Sequence, residues 1–298
     1  MDIMIIGAAI LDVLAQPVDR EVFETGSWPV EDLQMNIGGD GANEALVLAG
    51  LGKRVQLQTV LGSDLAGRMI LARLRERGVF IEDSCVQEDL VTGINTVLIQ
   101  KDGERCFLTN PKGSLRKLSL EHIRMPFSRD TRILCLASIF VSPLLGVKEL
   151  ETIFAQAKKQ GITVCADLTK RKNGETVKDM APALRSIDYL LPNAEEAKLL
   201  TGEKTVEEAA RALQECGVTH VVVKCGSRGC YVLEKKEGYW VLPEHPVNCV
   251  DTTGAGDSFA GGFLAALLEG KDIRECARFA NQCGGKAVSC VGAASWLE

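Results

Sequence analysis

Cys249-Val250-Asp251-Thr252-Thr253-Gly254-Ala255-Gly256-Asp257-Ser258 runs straight into an apolar, helix-periodic stretch over residues 259–268. Gly254 and Gly256 let the backbone turn tightly at the foot of that helix, where unpaired amides and the helix dipole attract an anion. Phosphate is the natural guest. Asp257 adds a carboxylate in the first turn, beside the same pocket, where it can take a proton from an attacking hydroxyl while the amides hold a moving phosphoryl group. A simple helix cap and a simple turn would explain one acid and one glycine and leave the rest of the stretch without a purpose.

Two familiar phosphate motifs make other demands on spacing. Residues 62–69 have the glycine spacing of a P-loop, but Arg68 and Met69 stand where Lys and Ser or Thr are needed. Phe259 occupies the third glycine position of a dinucleotide-binding fingerprint begun at Gly254, and the stretch comes late in the chain. Neither motif is met. The stretch instead closely resembles the C-terminal signature of the ribokinase-like (PfkB) carbohydrate kinases, D-T-x-G-A-G-D, and residues 251–257 match it in full.

Composition is compatible with that resemblance. At 298 residues, 46% hydrophobic and 25% charged, the chain can bury a large α/β core and is unlike a disordered protein. A net charge of -6 gives no broad basic face for nucleic acid or an anionic membrane, so a small-molecule partner is expected. The first seven residues are too short and too acidic for a signal peptide, and no apolar run has the length of a membrane span, which predicts a cytoplasmic protein. The 11 cysteines contain no C-x-x-C pair and read as reduced core thiols, with Cys276, Cys283 and Cys290 along one helix face. Three scattered histidines argue against zinc.

Residues 2–7 form a near-continuous apolar run, as expected of a strand buried on both faces of a parallel sheet. Asp12 follows it, at the strand end where α/β sheets collect ligands. Strand and helix patterns then alternate over residues 55–61, 65–77, 133–137, 147–160 and 162–167, which predicts a mostly parallel sheet flanked by helices. Residues 13–37 are irregular, broken by Pro17, Gly26, Trp28 and Pro29, and residues 92–109 alternate around Asp102-Gly103 as a hairpin does. The expectation is one α/β domain over residues 1–298, with a small β lid inserted at about 13–37 and 92–109.

The resemblance assigns roles along the whole chain. Gly38-Gly39-Asp40-Gly41-Ala42-Asn43, before a helix expected over residues 44–51, resembles the family's N-terminal G-G-x-x-x-N motif. It implies sugar contacts from Asp12, Gly38, Gly39, Asp40 and Asn43, with Ser138 at the same sheet edge. Ribokinases commonly carry Lys where Asp40 stands, so the sugar is left open. Asp167 and Arg171 match two positions of a D-x-N-x-R motif, implying an arginine near the transferred phosphate, although Thr169 replaces the Asn. Asn193 and Glu196 match N-x-x-E, whose acid organises magnesium and its waters, and they also suit a helix capping box. Lys224, Gly226 and Gly229 resemble the nucleotide-side K-x-G-x-x-G loop, and Asn281 falls at the adenine position. Asp251, Thr253, Ala287, Cys290 and Gly292 resemble the residues that hold a monovalent cation, K+, in ribokinases.

Together these imply an ATP- and Mg2+-dependent kinase acting on a small sugar, with Asp257 as base, Gly254, Ala255 and Gly256 as anion hole, and a homodimer formed through the lid. Two alternatives fit the same residues. A nucleoside kinase would need an aromatic slot, for which Trp28 and Phe107 are the candidates; a sugar sensor would have no use for Asp257.

Overall fold

The computed structural model describes residues 1–101 and 104–297. The first part of the chain comprises β1 (Ile3–Ile6), β2 (Ile10–Gln16), β3 (Asp32–Gly38), α1 (Asp40–Gly50), β4 (Val55–Gln58), β5 (Leu61–Gly62) and α2 (Leu65–Glu76). It continues with β6 (Val86–Gln87), β7 (Ile94–Ile99), β8 (Arg105–Thr109), β9 (Ile133–Ile139), α3 (Val147–Lys159), β10 (Thr163–Leu168) and α4 (Val177–Leu184). The last part holds β11 (Tyr189–Leu190), α5 (Ala194–Thr201), α6 (Val206–Glu215), β12 (His220–Lys224), β13 (Cys230–Glu234), β14 (Glu237–Val241), α7 (Ala255–Leu268) and α8 (Ile273–Val288).

An eight-stranded sheet, ordered β14-β13-β12-β11-β10-β9-β1-β4, forms the centre. It is parallel from β4 to β12 and antiparallel only through the β12-β13-β14 meander. The apolar run at the N-terminus explains the layering. Met4 and Ile6 of β1 face a cluster with Phe154, Met180 and Leu213 from α3, α4 and α6, whereas Ile3 and Ile5 face Leu48, Ile70 and Leu264 from α1, α2 and α7. A strand sandwiched in this way needs apolar side chains at successive positions, each contributing about 1.5–3 kcal/mol on burial. Phe259 and Phe263 of α7 join α8 and the meander in a third cluster.

A four-stranded sheet, ordered β3-β2-β7-β8, lies apart from the main one. The irregular stretch at 13–37 is thus partly regular: β2 and β3 pair antiparallel, and Pro17, Gly26, Trp28 and Pro29 fall in the connection between them. Asp12 is inside β2, opposite Asn36 and Asn95, and not in a loop after β1. β7 and β8 form the expected hairpin arms; the turn at Asp102-Gly103 lies outside the described residues.

Three helix boundaries move in ways that bear on the site. α1 begins at Asp40, a turn earlier than its apolar pattern, because Gly39 at φ 93° serves as the N-cap. α7 begins at Ala255, so Gly256 and Asp257 belong to its first turn. α8 ends at Val288, which leaves Cys290 beyond the helix, while Cys276 and Cys283 are buried within it. The P-loop-like stretch has a structural role: Asp64 caps α2 by accepting the Gly67 amide at 2.9 Å. No helix among the described residues is long and apolar enough to cross a membrane.

Candidate active site

The carboxyl ends of β9, β10 and β12 deliver Ser138, Asp167 and Lys224 to one rim of the main sheet, and α1 and α7 start above it. Between them opens a cavity of about 1300 Å³. That is ample for two small ligands side by side. Of the expected residues, its walls contain Asp40, Ser138, Asn193, Glu196, Lys224, Gly226, Gly229, Ala255, Gly256, Asp257 and Asn281.

Gly254 caps α7 in the left-handed conformation, at φ 68°, packed so closely on Ala293 that an added Cβ would stand 2.3 Å from that residue's own Cβ. No other residue fits there without moving the turn. The Ala255 amide donates to the Thr252 carbonyl at 3.3 Å, and the Gly256 and Asp257 amides follow at the mouth of the helix. Lys224 faces this cradle, since a Cβ at Gly256 would lie 3.4 Å from its ammonium.

Asn43 donates from Nδ2 to Asp257 Oδ2 at 2.7 Å, joining the two signature motifs across α1 and α7. Burial and the neighbouring Asp40 carboxylate push Asp257 up to about 7, against the pull of Asn43 and Lys224. A carboxylate so tuned is suited to accept a proton near neutral pH. Asp40 is itself raised, by burial, with Ser138 as a hydrogen-bond partner that opposes the shift. Asp12 is raised by burial against the Asn95 amide, which donates to it at 3.0 Å; an added Cβ on Gly38 would collide with the same carboxylate. Asp12, Gly38, Gly39 and Asn43 do not line the cavity; Gly39 and Asn43 flank Asp40 at the start of α1.

Lys224 is bonded to Asp167 Oδ2. Burial alone would lower the lysine, but Asp167, Glu196 and Asp257 outweigh it and keep it protonated. Glu196 occupies the third position of α5, accepting the Asn193 amide at 2.8 Å, while Asn193 Oδ1 accepts the Glu196 amide at 2.9 Å. The capping box thus aims one carboxylate at the cavity, and burial raises that carboxylate too. Among the described residues no cluster of three metal-ligating side chains exists. A magnesium ion that keeps most of its waters and takes phosphate oxygens fits Glu196.

Two assignments need correction. Arg171 does not reach the cavity, because its guanidinium donates to the Glu175 carbonyl at 2.7 Å in a loop that folds back on itself. Lys224 is the cation beside the amide cradle instead. The presumed monovalent cation site meets a side chain: the Arg105 guanidinium, from β8, donates to Asp251 Oδ1 and Thr253 Oγ1. The Ala287 carbonyl accepts the Cys290 amide, and Gly292 donates its amide to Asp251 Oδ2 at 3.1 Å. These residues, as arranged, do not fit a metal ion.

Sequence reasoning missed an apolar wall of the cavity. Trp240, Leu242, Pro243, Pro246 and Val247 line it beside Asn281, whose Nδ2 donates to the Val241 carbonyl at 2.9 Å. The signal was present as apolar residues flanking two prolines, Trp240 and Leu242 before Pro243 and Val247 after Pro246. Glu44 was also missed: it is wholly buried beneath the site, raised well above the usual range by burial and by Asp167 and Asp257.

The model of the pfkB family carbohydrate kinases matches residues 1–298. The chain belongs to that family. It is therefore a phosphotransferase acting on a hydroxyl group, a sugar or nucleoside kinase with the ribokinase-like α/β fold. Ribokinase of Haemophilus influenzae is 30% identical over 271 residues, covering 89% of this chain and 85% of that protein. Arabidopsis thaliana ribokinase, solved with ribose and ATP, superposes with a TM-score of 0.80 at 28% identity, over 99% of this chain and 95% of its own. An E. coli protein solved with ATP and Mg2+ gives 0.84 at 26% identity, over 100% and 96%.

Proposed function

We propose that this pfkB-family kinase transfers the γ-phosphoryl group of ATP to a primary hydroxyl of a small neutral sugar, ribose- or fructose-like. The observation that carries the reading is the Asp257 carboxylate, held by Asn43 at the mouth of α7, beside the Gly256 amide and the Lys224 ammonium. The sugar oxygen forms a bond to the γ-phosphorus as the bond to the β-phosphate oxygen breaks; Asp257 takes the hydroxyl proton and ADP leaves. The amides following Gly254 and the Lys224 ammonium stabilise the charge on the transferring group. Glu196 would hold Mg2+ through water, and the ion would supply positive charge to offset that of the phosphates. The adenine would lie against Leu242, Val247 and the wall fixed by Asn281.

Several features favour a neutral sugar. Its end of the site is lined or backed by Asp12, Asp40 and Asp257, which suit hydroxyl donors and repel sugar acids and phosphosugars. Trp28, one of two aromatic candidates for a nucleobase slot, already donates its indole N–H to the Pro17 carbonyl at 3.3 Å. The four-stranded sheet acts as the lid, excluding water during transfer, and its exposed Leu33, Met35, Phe107 and Leu108 form the contact of a homodimer. The test is ATP consumption across pentoses, hexoses, sugar acids and nucleosides. Turnover highest on a neutral pentose or ketohexose is expected; turnover only on nucleosides, or on none of the panel, would overturn the assignment.

A further inference from the structure

The loop before the anion hole carries a cation of the chain's own. Asp251 is buried, its side chain 5% exposed, and its oxygens are nearly saturated. Oδ1 accepts the Thr253 amide at 2.9 Å, the Thr253 hydroxyl at 2.7 Å and the Arg105 guanidinium; Oδ2 accepts the Gly292 amide. A carboxylate offers about four lone-pair sites. Arg105 binds by two of its prongs, one to Asp251 and one to Thr253, a forked geometry that a point charge does not reproduce. Its side chain is 24% exposed, so most of the pair is shielded from water.

The position of this pair matters more than its strength. Thr253 immediately precedes Gly254, the left-handed cap that aims the α7 amides, and the Thr252 carbonyl accepts the Ala255 amide at 3.3 Å. The Asp251 amide is bonded in turn to the Val288 carbonyl at the end of α8. Arg105 belongs to β8, at the outer edge of the four-stranded sheet, and pairs with Ile99 of β7. One guanidinium thus ties that sheet to the turn that shapes the anion hole, across 146 residues of sequence.

We propose that Arg105 is a positioning residue that sets the Asp251–Gly254 turn with its own positive charge, making a monovalent cation unnecessary and linking seating of the small sheet to completion of the phosphoryl cradle. The inference rests on the kinase reading above. It can fail while that reading stands, because sugar-dependent ATP turnover by the unaltered protein is measured separately.

The experiment compares KCl with choline chloride at constant ionic strength. For the unaltered protein, turnover and thermal midpoint stay the same in both salts; a severalfold rise in turnover or an upward shift in midpoint with K+ overturns the proposal. For Arg105→Ala, kcat falls about tenfold or more with a smaller change in KM for ATP, because an interaction serving the transition state is lost. Millimolar guanidinium or K+ restores part of that loss and raises the variant's midpoint. Arg105→Ala with normal turnover overturns the proposal, and so does a folded, slow variant that neither cation rescues. Should that variant fail to fold, Arg105→Lys takes its place: it keeps the charge without the fork, and turnover equal to that of the unaltered protein overturns the positioning role.

Discussion

The eight-stranded and four-stranded sheets border the same site and are built in opposite ways. β1 and β4 are buried at every position, whereas β8 is exposed at four of its five positions and β3 at three consecutive ones. The large sheet is covered on both faces by helices; the small one leaves Leu33, Met35, Phe107 and Leu108 open. Asp257, Lys224 and Asp167, to which the proposed mechanism gives the proton and the charge, sit on the covered architecture, where packing fixes them. The open sheet carries Asp12 on β2 and the exposed apolar side chains to which the proposed function gives the sugar and a second subunit. On the proposed function the reacting groups rest on the first sheet, and the second reaches them through Arg105 at the turn before α7.

The sharpest attempt to break this division is Asp257→Asn. Turnover should fall by about 10²–10⁴ with ATP binding changed less than about twofold, measured by steady-state kinetics and calorimetry; near-normal turnover would remove the base from the large sheet. Lys224→Met comes next. It leaves the buried Asp167 carboxylate without its partner, so stability should drop by about 3–5 kcal/mol in urea unfolding at pH 8. Because protonating Asp167 relieves the uncompensated charge, that deficit should shrink as the pH is lowered toward 5.

The pH dependence follows from Asp257 being raised to about 7. The base must be ionised, so kcat/KM should rise about tenfold per unit below that pH and level off above it. Stability carries the opposite sign: a carboxyl raised in the folded state favours folding at low pH and loses that contribution as pH rises through about 7. Asp257→Asn should accordingly be more stable than the unaltered protein at pH 8, with the advantage fading toward pH 5. The smallest effect is expected in the open sheet, where Met35→Lys with Phe107→Ser should convert a dimer to a monomer in sedimentation. Turnover per chain would stay within about threefold, as surface changes allow; a collapse of turnover would show that the two sheets are not separable.

Local chemistry explains how much of this was legible. β1 could be read because four successive apolar residues admit few other arrangements, and the Asp257 cradle because two glycines and an acid at that spacing have few structural uses. Arg171 misled because its motif match carries no information about Glu175, whose carbonyl captures the guanidinium. Arg105 was invisible for a different reason. Its partners Asp251 and Thr253 are distant in sequence, and an exposed-looking arginine in a hairpin has no pattern that announces them. Asp12 could be read only as following β1, because the small sheet's register, opposite Asn36 and Asn95, depends on strands that the breakers at 17–29 obscured.

The hydrogen bond from Asn43 to Asp257 spans 214 residues. During synthesis the glycine-rich turn around Asn43 emerges early and must wait for nearly the whole chain before its partner leaves the ribosome. A product that stops short of α7 would lack Asp257 and the α7 amides, so on the proposed mechanism an interrupted chain could not squander ATP.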